Sequence, residues 1–335
     1  MIDPVTKFRY PEAWASLCEN EEERALVESG RAVLTSSGRI LRRGFTTGTT
    51  AAAACMAAIR SLGAKDVGSV DVRLACGLTF PVEVTGRDGT ASCFKYSGDY
   101  PSDATAGIEF KAKFIEFCDE AVLEAGMGIG RWDRDTPRFS KGSPAISATA
   151  MDCILEAISI ACLSHGRKGA RVSLHALNGE SIARNTLNGR IGVLGGISVL
   201  GSTGLVEPWD DHLGQDSVDR ARRAERAVIT TGRIGLRYAR LQYPDQEVIL
   251  VGAKMKQVLD SRNEGLTLFG LPALIIKFIE PSVLVGSGFR TVEELVTSEN
   301  GTGVVRSSIE QFKSMYPGHS IALIDRTGRV LGASA

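Results

Sequence analysis

Residues 191–208 read IGVLGGISVLGSTGLVEP. An apolar, β-branched run (Ile191, Val193, Leu194, Ile197, Val199, Leu200) is broken by Gly195-Gly196, opens into Gly201-Ser202-Thr203-Gly204 and closes on Glu207-Pro208. Apolar runs of this length between glycines predict a buried strand, although periodicity alone also fits a helix. A strand ending in Gly-Ser-Thr-Gly offers backbone N–H groups and hydroxyls with no bulky side chain in front of a ligand. The spacing is not G-x-G-x-x-G, so the dinucleotide fingerprint does not apply. A glycine-rich turn between two core strands accounts for the same residues equally well.

Downstream, the pattern alternates. A helix over 217–226 precedes a strand at 227–230, Thr231-Gly232 and a helix to about 241; a strand at 247–251 ends at Gly252, a helix spans 254–263, and the apolar run 266–279 holds the next strand. Strands alternating with such helices imply a mostly parallel sheet, whose ligands sit at the carboxyl ends of the strands. The segments 201–204, 230–232 and 252–254 are therefore expected on one rim. No acidic residue ends the second or third strand, where a ribose-binding carboxylate would stand. A helix at 307–315 and a strand and turn over 320–332 complete the chain.

Upstream, a short helix over 21–28 stops at Gly30, and RRGFTTGTTAAAACMAAI follows at 42–59. Thr49 or Thr50 is the expected N-cap of an alanine-rich helix, small on every face and so able to pack closely on a sheet. Arg42, Arg43, Thr46, Thr47, Gly48 and Thr49 crowd its start, which suggests an anion-binding site. A capped packing helix is the plainer alternative. Strands at 69–75, 79–85, 91–96 and 108–117, separated by turn signals, predict an antiparallel sheet of hairpins.

Asp99 and Asp103 share the turn 98–105, where solvation usually explains acids and catalysis is the lesser reading. Glycines 126, 128 and 130 lead into Arg131, Trp132, Arg134 and Lys141. That pattern reads as a flexible cationic loop able to clamp carboxylates and stack on a ring, or as a surface network with Asp133 and Asp135. A helix over 147–164 and a strand at 171–176 follow. The expected fold is an α+β domain, 1–188, of hairpins plus an Ala-rich helix, followed by a Rossmann-like α/β domain, 189–335.

Composition narrows the function. With 43% hydrophobic and 23% charged residues the chain resembles an ordinary globular protein, and 39 basic against 39 acidic residues argue against nucleic-acid or anionic-membrane partners. Seven scattered cysteines without C-x-x-C fit reduced core thiols in a cytoplasmic protein. The four histidines form no metal-ligand cluster. No apolar run approaches ~20 residues and the first residues lack a signal peptide's apolar core, so a soluble, cytoplasmic chain is expected. A homo-oligomer is compatible with all of this.

The segments RRGFTTGTTAAAA (42–54), GDYPSDATAG (98–107), AGMGIGRWDR (125–134), GSPAI (142–146), GGISVLGSTGLVEP (195–208), VITTG (228–232) and the terminal IDRTGRVLG resemble the cobalt-precorrin-5B C1-methyltransferase family (CbiD) of the anaerobic cobalamin pathway. They run in the family's order over nearly the whole chain. Three departures stand out. The acidic loop carries an extra residue at Ser102, and Ser147-Ala148 replaces a common Asn-Pro. The family's Gly-His-Ile-Gly-Lys and Thr-His-Ser runs lack their histidines here, with only Lys277 kept, so no histidine role carries over.

The resemblance implies methyl transfer from S-adenosyl-L-methionine to C1 of a cobalt-bearing tetrapyrrole, with the cobalt carried by the substrate and no protein-bound metal. Such chemistry needs alignment in a dry site rather than a strong nucleophile. The macrocycle's carboxylate arms are then expected on Arg42, Arg43, Thr46, Thr47, Gly48, Thr49, Arg131, Arg134 and Lys141. The donor is expected on Gly195, Gly196, Gly201, Ser202, Thr203, Gly204, Glu207, Thr231 and Gly232, although Glu207 also reads as a loop-end cap. Asp99 or Asp103 would take a proton if one must leave. Two other readings stay open: a small-molecule kinase holding ATP at the 46–50 helix start, and a non-catalytic tetrapyrrole carrier.

Overall fold

Alanine leaves no side-chain entropy to lose in a helix, so the run after Thr50 forms helix α1 (Thr47–Arg60). In this computed structural model, which describes residues 1–100, 103–135, 139–186, 188–208 and 217–334, α1 is buried from Thr47 to Ile59. Its cap is Thr46 rather than the expected Thr49 or Thr50, with Oγ1 accepting the Thr49 N–H at 3.2 Å. The hydroxyls of Thr49 and Thr50 instead donate to the carbonyls of Gly204 and Thr46. One side of α1 lies on a sheet and another on helix α2 (Ala148–Leu163), so every face must be small. A Cβ added at Gly48 would stand 2.8 Å from that of Ala150.

The sheet under α1 comprises β1 (Val67–Arg73), β2 (Thr79–Arg87), β3 (Thr90–Phe94), β4 (Glu109–Cys118), β5 (Val122–Ala125) and β6 (Gly169–Ala176). Its order is β1-β2-β3-β4-β6-β5, antiparallel throughout except for β6 with β5. Strict alternation of buried and exposed residues along β2 gives the sheet one apolar face. These are the hairpins that the turn signals predict.

The stretch 191–208 is not one buried strand. Val193–Leu194 pairs with Arg131–Trp132, Gly196–Ile197 with Gly128–Ile129, and Leu205–Val206 with Gly44–Phe45. Gly195 (φ +76) and Gly204 (φ +87) turn the chain between these ladders, which no β-branched residue could do cheaply. The segment 201–204 therefore ends no strand of a parallel sheet.

The chain divides into two compact units, Arg42–Pro208 and Met1–Leu41 with Trp209–Ala335. The division expected at 188/189 falls inside the first, because the ladders of 193–206 run to residues 44–45 and 128–132.

In the second unit a five-stranded sheet is built from β7 (Ala227–Thr230), β8 (Glu247–Leu250), β9 (Leu266–Gly270), β10 (Ser320–Ile324) and β11 (Val330–Ala333). The order is β8-β7-β9-β10-β11, parallel apart from the last pair. Helix α3 (Arg233–Gln242) covers one face, packing Leu236 and Ala239 on Val228 and Val248. Helices α4 (Met255–Leu259), α5 (Pro272–Ile279) and α6 (Gly301–Met315) cover the other, around Ile229, Leu268 and Phe312. Val33, Phe8 and Trp14 from the N-terminal segment join the α3 face. Among the described residues no helix is long and apolar enough to cross a membrane.

Candidate functional site

The threonines at the start of α1 exceed what a cap needs because they hold the glycine loop. The Thr46 N–H donates to Gly204 O at 3.1 Å and the Gly48 N–H to Leu200 O at 2.9 Å. Thr47 Oγ1 accepts the Leu200 N–H at 2.8 Å, and Thr49 Oγ1 donates to Gly204 O at 2.7 Å. Helix N–H groups that would cradle a phosphate thus meet carbonyls of the chain itself. This corrects the expected anion site and removes the place where a kinase would hold ATP. Ser202 stays exposed at the tip of the loop, whereas a Cβ at Gly201 would come within 2.7 Å of Thr46 Oγ1.

Arg43 and Glu207, expected on different ligands, are spent on each other. The Arg43 Nε donates to Glu207 Oε1 at 3.1 Å and Oε2 at 3.0 Å, with the arginine side chain fully buried. Asp99 accepts the Arg42 N–H at 2.7 Å and returns its own N–H to Arg42 O, locking the turn to the start of the unit. Asp103, half-buried, pairs with buried Lys95 and also accepts from Ser97 Oγ, Thr105 N and Thr105 Oγ1. Burial acts to raise its carboxyl, but the Lys95 charge and these bonds outweigh it and hold the group below the ordinary carboxylate range. Such a group is a weak base. Ser102 lies outside the described residues.

The loop expected to be flexible is interlocked. A Cβ at Gly126 would enter the His175 ring, one at Gly128 would meet Ala176 O, and one at Gly130 would strike Val193. Arg131 donates to the carbonyls of Gly142 and Ala125, both at 2.9 Å, so it ties the loop's two ends together. Trp132 stacks on Phe139 at 5.0 Å. Met127 (76% exposed), Leu194 and Leu200 (55% each) and Ile191 turn outward, with Arg131 opposite Leu194 in the ladder. Arg42, Arg134 and Lys141 are likewise exposed. Leu194 and Leu200 belong to the run expected to be a buried strand, because a run broken by glycines does not say which side faces water.

In the second unit the strand order, numbered from β7, is 2-1-3-4-5, and its topological switch point lies between β7 and β9. Thr231 and Gly232 follow β7 there, and Gly232 is the N-cap of α3, extended and with open space in front of it. Gly270 closes β9, and a Cβ on it would sit 3.5 Å from Thr231 Oγ1. Thr230 is fully buried, and its hydroxyl has no hydrogen-bond partner among the described residues. Thr230 lies in the segment 230–232 expected on the rim, whereas Gly270, beside Thr231, was not among the expected residues. The glycine ending the apolar run LTLFG was the available signal.

A family sequence profile described as CbiD matches residues 34–208. The chain belongs to the CbiD family. It is similar along its whole length to proteins named cobalt-precorrin-5B C(1)-methyltransferase, 48% identical to that of Methanospirillum hungatei JF-1 and 51% to that of Methanoregula boonei, with all of each relative covered. It also resembles the 1.9 Å crystal structure of the cobalamin biosynthesis protein cbiD from Archaeoglobus fulgidus, with a TM-score of 0.57 and 32% identity over 97% of this chain and 100% of that one. Two of the departures fall on described helices. Ser147 caps α2 by accepting the Ala150 N–H at 3.3 Å, and Lys277 is exposed on α5, which opens with Pro272 at its first turn.

Proposed function

We propose that this chain methylates cobalt-precorrin-5B at C1, giving cobalt-precorrin-6A, with S-adenosyl-L-methionine as methyl donor. The observation that carries this is full-length identity of 48–51% to enzymes named for that reaction. Displacement at a sulfonium releases a neutral thioether, so the donor supplies its own leaving group. The protein's part is to bring carbon and methyl to about 3–3.5 Å in line and to keep water out.

The second unit holds the donor, in our reading, at the carboxyl edge of its doubly wound sheet. The buried Thr230 hydroxyl, Thr231 and the open N-cap at Gly232 fit a group rich in hydroxyls and a carboxylate. The unit Arg42–Pro208 takes the macrocycle on the Met127, Leu194 and Leu200 surface, with Arg42, Arg131, Arg134 and Lys141 for its carboxylate arms. Gly195, Gly201, Ser202 and Thr203 shape that surface. Asp99, the more exposed of the two acids, is the better placed to accept a proton.

Incubation with methyl-labelled donor and cobalt-precorrin-5B tests the reading. Label should appear on the macrocycle in one-to-one yield with S-adenosylhomocysteine. A chain that binds the macrocycle and transfers nothing would be a carrier, and the reading would fall.

A further inference from the structure

The terminal run 324–332 plays no part in the sites above, yet it borders an open cleft of about 540 Å³ on the surface of the second unit. Three segments line it: residues 6–14, the later turns of α3, and the turn 326–329. Lys7, Arg9, Arg237, Arg326 and Arg329 bring five cations to its wall, and no acidic residue lines it among the described residues. Phe8, Trp14 and Tyr238 supply aromatic faces. The Arg237 guanidinium carbon lies 4.9 Å from the Tyr238 ring centre and 6.0 Å from that of Phe8, so the cation sits beside two rings that are themselves 5.3 Å apart.

The wall is built rather than incidental. Gly328 (φ +87) packs so tightly on Tyr238 that a Cβ would fall 2.4 Å from the ring, and Gln242 Nε2 donates to Gly328 O at 3.3 Å. Lys7 adopts a left-handed conformation (φ 59), unusual for a non-glycine, within a turn closed by Asp3 O. Arg326 donates to both oxygens of Glu293, at 2.6 and 2.9 Å, and Arg329 to half-buried Asp325, so these two guanidiniums reach the wall already oriented by carboxylates behind them. The volume is that of small-molecule sites.

We propose that this cleft binds a multiply anionic, ring-bearing small molecule, with carboxylates or phosphates on the arginines and the ring against Phe8 and Trp14. Two sources share that chemistry, a polycarboxylate macrocycle and a nucleoside polyphosphate. Titration calorimetry of the intact chain with uroporphyrin and with ATP separates them, in wild type, Arg237→Gln and the surface variant Arg9→Ser. One probe should bind at low salt, about tenfold more weakly in Arg237→Gln and measurably more weakly in Arg9→Ser, because each loses a charge-assisted contact. Binding of uroporphyrin assigns the macrocycle class, and binding of ATP the nucleotide class. Should neither bind, or both variants bind as wild type does, the proposal is overturned. Arg9→Ser keeps the test alive if Arg237→Gln fails to fold. Binding is the readout, so a chain inactive in methyl transfer would leave this result standing.

Discussion

Asp103 accepts from Lys95, Ser97 and Thr105, which makes it one of the carboxylates through which acid acts on the fold. Its carboxyl is held low, so the pairing stabilises the fold fully above the unfolded value of about 4 and loses that contribution as pH falls through the folded value. Asp103→Ala should cost about 3–5 kcal/mol, since it strands a buried lysine. A Lys95→Met/Asp103→Leu double variant should recover most of it in denaturant melts, and failure to recover would mean that packing, not charge, dominates. The thiols behave in the same local way. Burial pushes Cys93 up to about 12 and Cys153 to about 11, and only Cys76 and Cys118 of the seven cysteines are not buried. Native alkylation followed by mass spectrometry should therefore mark those two first. Asp99 and Asp103 were legible as a pair of acids, but a turn motif cannot say which lysine or amide each will meet.

At the scale of elements, α1 is the part most readable from sequence. Its alanines and its need for small neighbours were evident from composition, whereas its cap was not. Four threonines offered themselves, and the choice of Thr46 depends on the carbonyls of 198–204 arriving from far along the chain. Thr46→Ala should destabilise by about 1 kcal/mol. Ala53→Leu should cost about 1–3 kcal/mol by overpacking between sheet and α2, and both are checked by thermal melts. Gly201→Val is expected to disturb the α1 start itself rather than leave the fold intact, because its side chain would meet Thr46 Oγ1.

For the molecule as a whole, the two proposed sites should respond separately. Gly232→Val adds a side chain into open space on extended backbone, so the fold should be kept while affinity for S-adenosylhomocysteine drops at least tenfold by calorimetry. Unchanged affinity would remove the α3 start from the donor site. Arg131→Ala should raise the macrocycle KM and leave donor affinity alone, since it frees the ends of the 125–142 loop and removes a cation beside Leu194.

Local information sufficed wherever neighbours in sequence are also neighbours in space: the hairpins of β1 to β4, the alanine helix, the alternating βα pattern after 226, and the motifs that mark the family. Only the tertiary structure decided the fate of 191–208. Its apolar residues, glycines and hydroxyls fit a buried strand as well as a threaded loop, and the choice rested on ladders to 44–45 and 128–132 that no window of sequence contains. The same holds for Arg43 with Glu207 and for the cationic cleft, where charges far apart in the chain are brought within reach of one another by folding.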